Sequence, residues 1–405
     1  MKGFVALLLL VAAAPSAHAE RWILKNPTSS VLTAQAIRSF ELKGDRYVVV
    51  NAPKFSPLQA SLQANAEEII EDVRISLPAI RANDGEQPQT TKAWHPAKMR
   101  YQDLPAQQDG RGIVVAVLDT GVDYNHEALK DQMWVNRGEI AGNQIDDDNN
   151  GFIDDVHGFD FESDEGDPMD GDQHGTHCAG IVGSSLNSTN GAEGVAPGAK
   201  IMAIRIIGYE QMGFLSDAVA GIKYAVDNGA TVLSNSWRVY RSWGSFNPSD
   251  ENIALLRSAI EYAGEKGAIF VAAAGNESKD LDGVDGDPMF PGGFTGLSNL
   301  VVVAASDESG APAYFSNYGP GRVTVAAPGN EILSTVPGNG WESMSGTSMA
   351  APLVAGGIAR GLSASFLTPQ VAVEKLISTS FAEEQWKTKT KSSGVIQLFD
   401  YLSVR

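Results

Sequence analysis

The chain has 405 residues, 43% of them hydrophobic, with 42 glycines and a formal net charge of -19. Such a length and apolar content predict one large core plus a smaller unit and exclude a disordered chain. The acidic balance excludes nucleic-acid binding, which needs a basic face. In chain order, residues 1–19 come first, with a lone Lys2, an apolar run over 4–14 and the small-residue end Ala17-His18-Ala19. That pattern predicts a secretory signal peptide cut before Glu20, because the apolar run is too short to span a bilayer. No later stretch is long enough, so no membrane span is expected after signal removal, and the destination is secreted or periplasmic. One cysteine, Cys178, leaves no intramolecular disulfide. Export then depends on other staples such as metal ions. A monomer is expected.

Residues 20–93 read as a separate small unit. Arg46-Tyr47-Val48-Val49-Val50 is strand-like, 58–70 has helical periodicity, and 73–80 suits another strand. The polar stretch 81–92 carries the linker signals Asn83-Asp84-Gly85 and Gln87-Pro88. From Gly110 the pattern changes to buried β-branched runs at 113–118, 200–207, 231–234, 268–273, 300–305 and 322–326. Helical segments at 174–182, 215–228 and 253–266 alternate with them, and an apolar helical run covers 349–358. Alternation of this kind predicts a three-layer α/β fold, a mostly parallel sheet flanked by helices, preceded by a small α+β segment. In such sheets functional residues belong at the carboxyl ends of strands.

That rule yields a short set of residues. Asp119 directly follows the run 113–118 and is placed to orient a histidine. His174 opens His174-Gly175-Thr176-His177-Cys178-Ala179-Gly180. Asn276 follows the run 268–273 through Ala274-Gly275, so its amide can serve an oxyanion. Ser348 lies in Gly346-Thr347-Ser348-Met349-Ala350-Ala351-Pro352 at the mouth of a helix, whose amino terminus favours developing negative charge. A serine hydroxyl is a poor nucleophile alone and needs these partners. Singly, each residue has a plainer explanation as a turn, a loop serine or a packed histidine; jointly they require several coincidences.

These segments, in the order Asp119, His174, Asn276, Ser348, resemble the subtilisin-like serine proteases from about Trp94 to near the carboxyl end, where Gly394-Val395-Ile396 is similar to the family's closing segment. The resemblance implies a serine endopeptidase acting on extended polypeptide substrates through an acyl-enzyme, with 94–405 as the catalytic domain. It assigns catalysis to His174 and leaves His177 a structural hydrogen-bonding role. It also implies that a substrate strand lies along Ser236 and Trp237, facing Ala273, Ala274 and Gly275. Trp237, following a buried run, also fits the core. Arg238-Val239-Tyr240 stand where the family usually has glycines, so no cleavage preference is read. Cys178 resembles a cysteine of proteinase-K-like members and is expected to be a small buried hydrophobe beneath His174.

Asp146-Asp147-Asp148-Asn149-Asn150-Gly151-Phe152-Ile153-Asp154-Asp155 reads as a calcium loop, with Asp146, Asp148, Asn150, the Phe152 carbonyl and Asp154 as ligands. His157 stands where an EF-hand has its closing glutamate, so another segment must complete the shell. The acidic stretch 280–287 is a second candidate with poorer spacing. In the family, a pro-segment between signal and catalytic domain assists folding and blocks the cleft. Residues 20–93 have the right size and position for this intramolecular inhibitor, against the alternative of a retained accessory domain. A non-catalytic scaffold built on a protease fold is the rival from another class. An esterase is excluded at Ser348, because Ala350 stands where the Gly-x-Ser-x-Gly elbow has its second glycine.

Overall fold

The computed structural model describes residues 20–28, 36–52, 57–78, 93–185, 192–208, 210–239, 248–283, 289–364 and 367–403. The expected signal peptide and the linker 81–92 lie outside them. The described residues form two compact units divided between Asp72 and Val73.

The smaller unit contains β1 (Glu20–Lys25), β2 (Arg38–Leu42), β3 (Asp45–Ala52), α1 (Pro57–Asn65) and β4 (Glu68–Glu71). Its four-stranded antiparallel sheet runs β2-β3-β1-β4. Period-2 alternation sends Val48 and Val50 to one face, where they pack with Trp22, Leu24 and Leu62. The helix expected over 58–70 stops at Asn65. Ile69 and Ile70 instead pair with Leu24 and Ile23 of β1, and the Asn65 carbonyl accepts the Thr28 amide at 2.8 Å. Sheet pairing overrides helical periodicity here.

The larger unit opens with β5 (Arg74–Ser76) and α2 (His95–Met99). Its central sheet has nine strands, β17-β18-β14-β13-β12-β10-β6-β8-β7. Their ranges are β6 (Val114–Asp119), β7 (Gly158–Asp160), β8 (Lys200–Arg205), β10 (Val232–Asn235), β12 (Ile269–Ala273), β13 (Leu300–Ser306), β14 (Val325–Pro328), β17 (Phe381–Ala382) and β18 (Gly394–Val395). The pairings from β7 across to β18 are parallel, and the edge pair β17–β18 is antiparallel. Every position of β10, β12 and β13 is buried, as continuous apolar runs require when both faces are covered.

Two helix pairs do the covering. α3 (His174–Gly183) packs on α6 (Thr347–Ala364), and α4 (Leu215–Asp227) packs on α5 (Asp250–Glu265). Val115 and Val117 of β6 join the core under α3 and α6, whereas Leu118 faces Gly221 of α4. Successive side chains of a strand point oppositely, so this is a three-layer α/β fold, as the sequence predicts. Beside the main sheet lie the hairpin β15 (Ile332–Val336) with β16 (Gly340–Met344), and a three-stranded sheet β11-β5-β9 built with β9 (Met212–Phe214) and β11 (Arg238–Val239). Among the described residues no single helix is long and apolar enough to cross a membrane.

Candidate active site

The strand-end rule locates Asp119 and Asn276, whereas His174 and Ser348 stand at helix starts. Asp119 closes β6, His174 is the first residue of α3, Asn276 lies three residues past β12, and Ser348 sits in the first turn of α6. α3 and α6 touch, so His174 and Ser348 come from the starts of two packed helices.

His174 Nδ1 donates to Asp119 Oδ1 at 2.7 Å, and both side chains are buried. A carboxylate only accepts, so Nδ1 carries the proton and Nε2 presents its lone pair. Neither His174 Nε2 nor Ser348 Oγ has a hydrogen-bond partner among the described residues, though both are buried. Burial alone would lower the His174 pKa; the adjoining Asp119 carboxylate overrides this and holds the imidazole well above the ordinary 6.5. The Asp119 carboxylate is itself steadied by the Thr120 amide, 2.8 Å from Oδ1.

The Asn276 amide is oriented without ambiguity. Its Oδ1 accepts both the Thr347 amide at 2.9 Å and the Thr347 hydroxyl at 2.8 Å. An N–H can only donate, so Nδ2 occupies the other branch, beside Gly346. A side-chain donor and the start of an 18-residue helix therefore flank the serine. This arrangement can stabilise an oxyanion formed by attack of Ser348.

His177 is turned elsewhere. Its Nε2 meets the Glu342 carbonyl at 3.1 Å, and burial lowers its pKa to about 3. Cys178 is fully buried, with Sγ 3.9 Å from His174 Nδ1 and 3.4 Å from the Ser348 carbonyl; burial pushes its thiol up. Ser236 Oγ donates to the same Ser348 carbonyl at 2.9 Å, tying the end of β10 to the serine.

The segment after Ser236 is paired with another strand of the chain. β5 pairs antiparallel with β11 on one side, Ser76 opposite Arg238 and Ile75 opposite Val239, and with β9 on the other. The Leu77 amide donates to the Gln211 carbonyl at 3.3 Å, and Leu77 and Pro78 are buried. Each residue onward in β5 moves one position back toward Ser236. With β5 in place, Trp237 is wholly buried and its Nε1 donates to Asn235 Oδ1 at 3.1 Å. Ala273 and Ala274 are buried, and Gly275 holds φ at +99°, a conformation that favours glycine. Sequence reasoning did not anticipate the ion pair from Arg238 Nη1 to Glu277 Oε1, which joins the segments after Trp237 and after Asn276. Nη1 also lies 3.2 Å from Met289 Sδ.

The acidic loop folds differently from its linear spacing. Asp154 accepts the amides of Gly142, Asn143 and Gln144 at 2.8–3.1 Å, and Asp146 accepts those of Asn150 and Gly151 at 3.0 and 2.9 Å. Asp148 instead comes together with Glu139 and Asp155, whose ligand oxygens lie within 4.8 Å of one another. Asn150 donates its side-chain amide to Asp155 at 3.0 Å and accepts the Phe152 amide at 2.8 Å. Asp155 is fully buried, and burial raises its pKa against donors from Tyr224, Asn150 and Asn136. Three converging oxygen donors fit a hard cation such as calcium. In the second acidic stretch, Asp282 pairs with Arg322 at 3.1 Å, while Asp285 and Asp287 lie outside the described residues.

The fold is thus a parallel α/β sheet that carries a hydrogen-bonded Asp119–His174 pair and, at the start of α6, Ser348 next to the Thr347 held by Asn276. A profile of the subtilase peptidase family matches residues 110–398, and the chain belongs to that family. It is similar to a thermophilic serine proteinase of Bacillus sp. strain AK1, 37% identical over 60% of this chain and 51% of that protein. It is also similar to thermitase of Thermoactinomyces vulgaris, 35% identical over 66% of this chain and 81% of thermitase. Subtilisin Savinase of Lederbergia lenta is 34% identical over 62% of this chain and 76% of its own length. The match thus spans about half of the Bacillus proteinase.

Proposed function

We propose that this chain is a secreted or periplasmic serine endopeptidase that hydrolyses extended polypeptides through Asp119, His174 and Ser348, with Asn276 as oxyanion donor. The observation that carries the reading is the buried 2.7 Å hydrogen bond that commits His174 Nδ1 and leaves Nε2 as the base. His174 takes the Ser348 proton as Oγ attacks a peptide carbonyl, Asp119 stabilises the imidazolium, and Nδ2 of Asn276 meets the oxyanion. The same imidazolium then protonates the leaving amine, and water releases the acyl group.

The pairing of β5 between β9 and β11 supports binding by strand addition along Ser236-Trp237 and Ala273-Ala274-Gly275. Since the occupant is the chain's own residues 74–78, it also supports residues 20–93 as a pro-segment that covers the cleft until cut. Glu139, Asp148 and Asp155 would hold a structural calcium, with Asn150 beside them; the ion's chemistry is to neutralise carboxylates and fix the loop. Casein digestion by the parent and by Ser348→Ala tests the reading. A parent that neither digests casein nor is labelled at Ser348 by a fluorophosphonate would falsify it. A mature amino terminus near Trp94 supports removal of 20–93, and one at Glu20 opposes it.

A further inference from the structure

The triad's acid and base come from different elements, β6 and α3, and are 55 residues apart in sequence. Their hydrogen bond is short and buried, so something must hold the two backbones in register. Asp170 stands where it can do this. Its Oδ1 accepts the Thr120 hydroxyl at 2.8 Å and the Asp172 amide at 2.9 Å. Its Oδ2 accepts the Thr176 hydroxyl at 2.5 Å and the Thr176 amide at 2.9 Å. Two bonds on each oxygen make the carboxylate a saturated acceptor.

The two threonines flank the catalytic pair. Thr120 follows Asp119, and Thr176 stands two residues after His174. Because each hydroxyl gives its only proton to Asp170, its remaining lone pairs must accept, and each accepts an amide of the opposite element. Thr120 Oγ1 takes the Gly175 amide at 2.9 Å, from α3 beside the base. Thr176 Oγ1 takes the Asp123 amide at 2.9 Å, from the loop beyond the acid. Both threonine side chains are buried. The bonds form a reciprocal clasp, and the anion at its centre sets the direction of both hydroxyls.

We propose that Asp170 is a positioning residue for catalysis, acting through Thr120 and Thr176 to hold His174 against Asp119. The inference rests on the triad assigned above. Without the carboxylate the hydroxyls are free to rotate, the cross-amides lose their fixed acceptors, and the imidazole loses its alignment.

The test measures turnover of a peptide substrate by Asp170→Asn, with Asp119→Asn and the double variant alongside. Asp170→Asn is expected to lower kcat about 10- to 100-fold with KM within about threefold, the scale of an ångström-sized misalignment. In the Asp119→Asn background the same change should cost less than about threefold, because the bond it protects is already lost. A full kcat in Asp170→Asn overturns the proposal, as does an equal loss in both backgrounds, which would mark a general structural defect. If Asp170→Asn does not fold, Thr120→Val carries the test, and Thr120→Ser should restore its kcat; failure to restore it counts against the clasp. An inactive parent unlabelled by fluorophosphonate would instead remove the function itself, whereas an active parent indifferent to Asp170 removes only this role.

Discussion

Replacing Gly175 by alanine reverses an ordinary expectation. Gly175 is the second residue of α3, and glycine within a helix is usually worse than alanine by about 0.5–1 kcal/mol, so the change should stabilise. Here a Cβ would stand 2.1 Å from the Gly121 carbonyl oxygen and 3.2 Å from Asp119 Cβ. Backbone must give way by roughly 0.9 Å before the first contact reaches 3.0 Å. Forcing atoms into a packed site costs about 1–3 kcal/mol, which exceeds the propensity gain. The displaced elements are the ones carrying Asp119 and His174. A misplacement near 1 Å lowers turnover by about 100-fold. Gly175→Ala should therefore fold with a lower thermal midpoint, bind substrate with little change in KM, and lose kcat by two orders of magnitude. Steady-state kinetics with calorimetry checks this. A variant as stable as the parent, with kcat within threefold, would show that α3 and the Asp119 loop are not held at this separation.

Three further outcomes follow from the site. His174 must be neutral to act as base, and its pKa is raised, so kcat/KM should fall with acid along a limb centred above 6.5; Asp119→Asn should move that limb down, and a parent limb at or below 6.5 contradicts the pairing. Asn276→Ala should cost about 100- to 1000-fold in kcat with little change in KM, the scale known for such a donor in a member of this family; a change mainly in KM would mark a ground-state contact instead. Calcium at 100 times its dissociation constant should stabilise the fold by about 2.7 kcal/mol, seen as a higher midpoint that chelator abolishes. A midpoint indifferent to both calcium and chelator removes the cation from the loop.

The fold was legible because parallel strands buried on both faces leave uninterrupted apolar runs. Asp119 and Asn276 could be located from the ends of such runs, and His174 and Ser348 from the motifs at two helix starts. What sequence hid was chiefly set by distant pairings. Ile69 and Ile70 keep helical spacing yet join β1, since an edge of the small sheet needed a strand. Glu139 and Asp155 fall outside the alternating loop pattern, and only the folded loop brings them to Asp148. Asp170 sits in an acidic stretch that looks solvated; its enclosure depends on two threonines from separate elements. Arg238 stood out as a departure from the family's glycines, but its partner Glu277 lies 39 residues away.

The parallel sheet has a temporal consequence. Its strands cannot pair with their chain neighbours by tight turns, and the site draws on contacts that close very long loops, such as the one from Cys178 to Ser348 across 170 residues. Topologies rich in such contacts fold slowly, because loop entropy is lost before pairing compensates for it. Ser348 is on one of the last helices, so a nascent or partly unfolded chain has not yet brought it to the elements that carry Asp119 and His174. On the proposed function, proteolytic competence is thus a property of the finished domain alone.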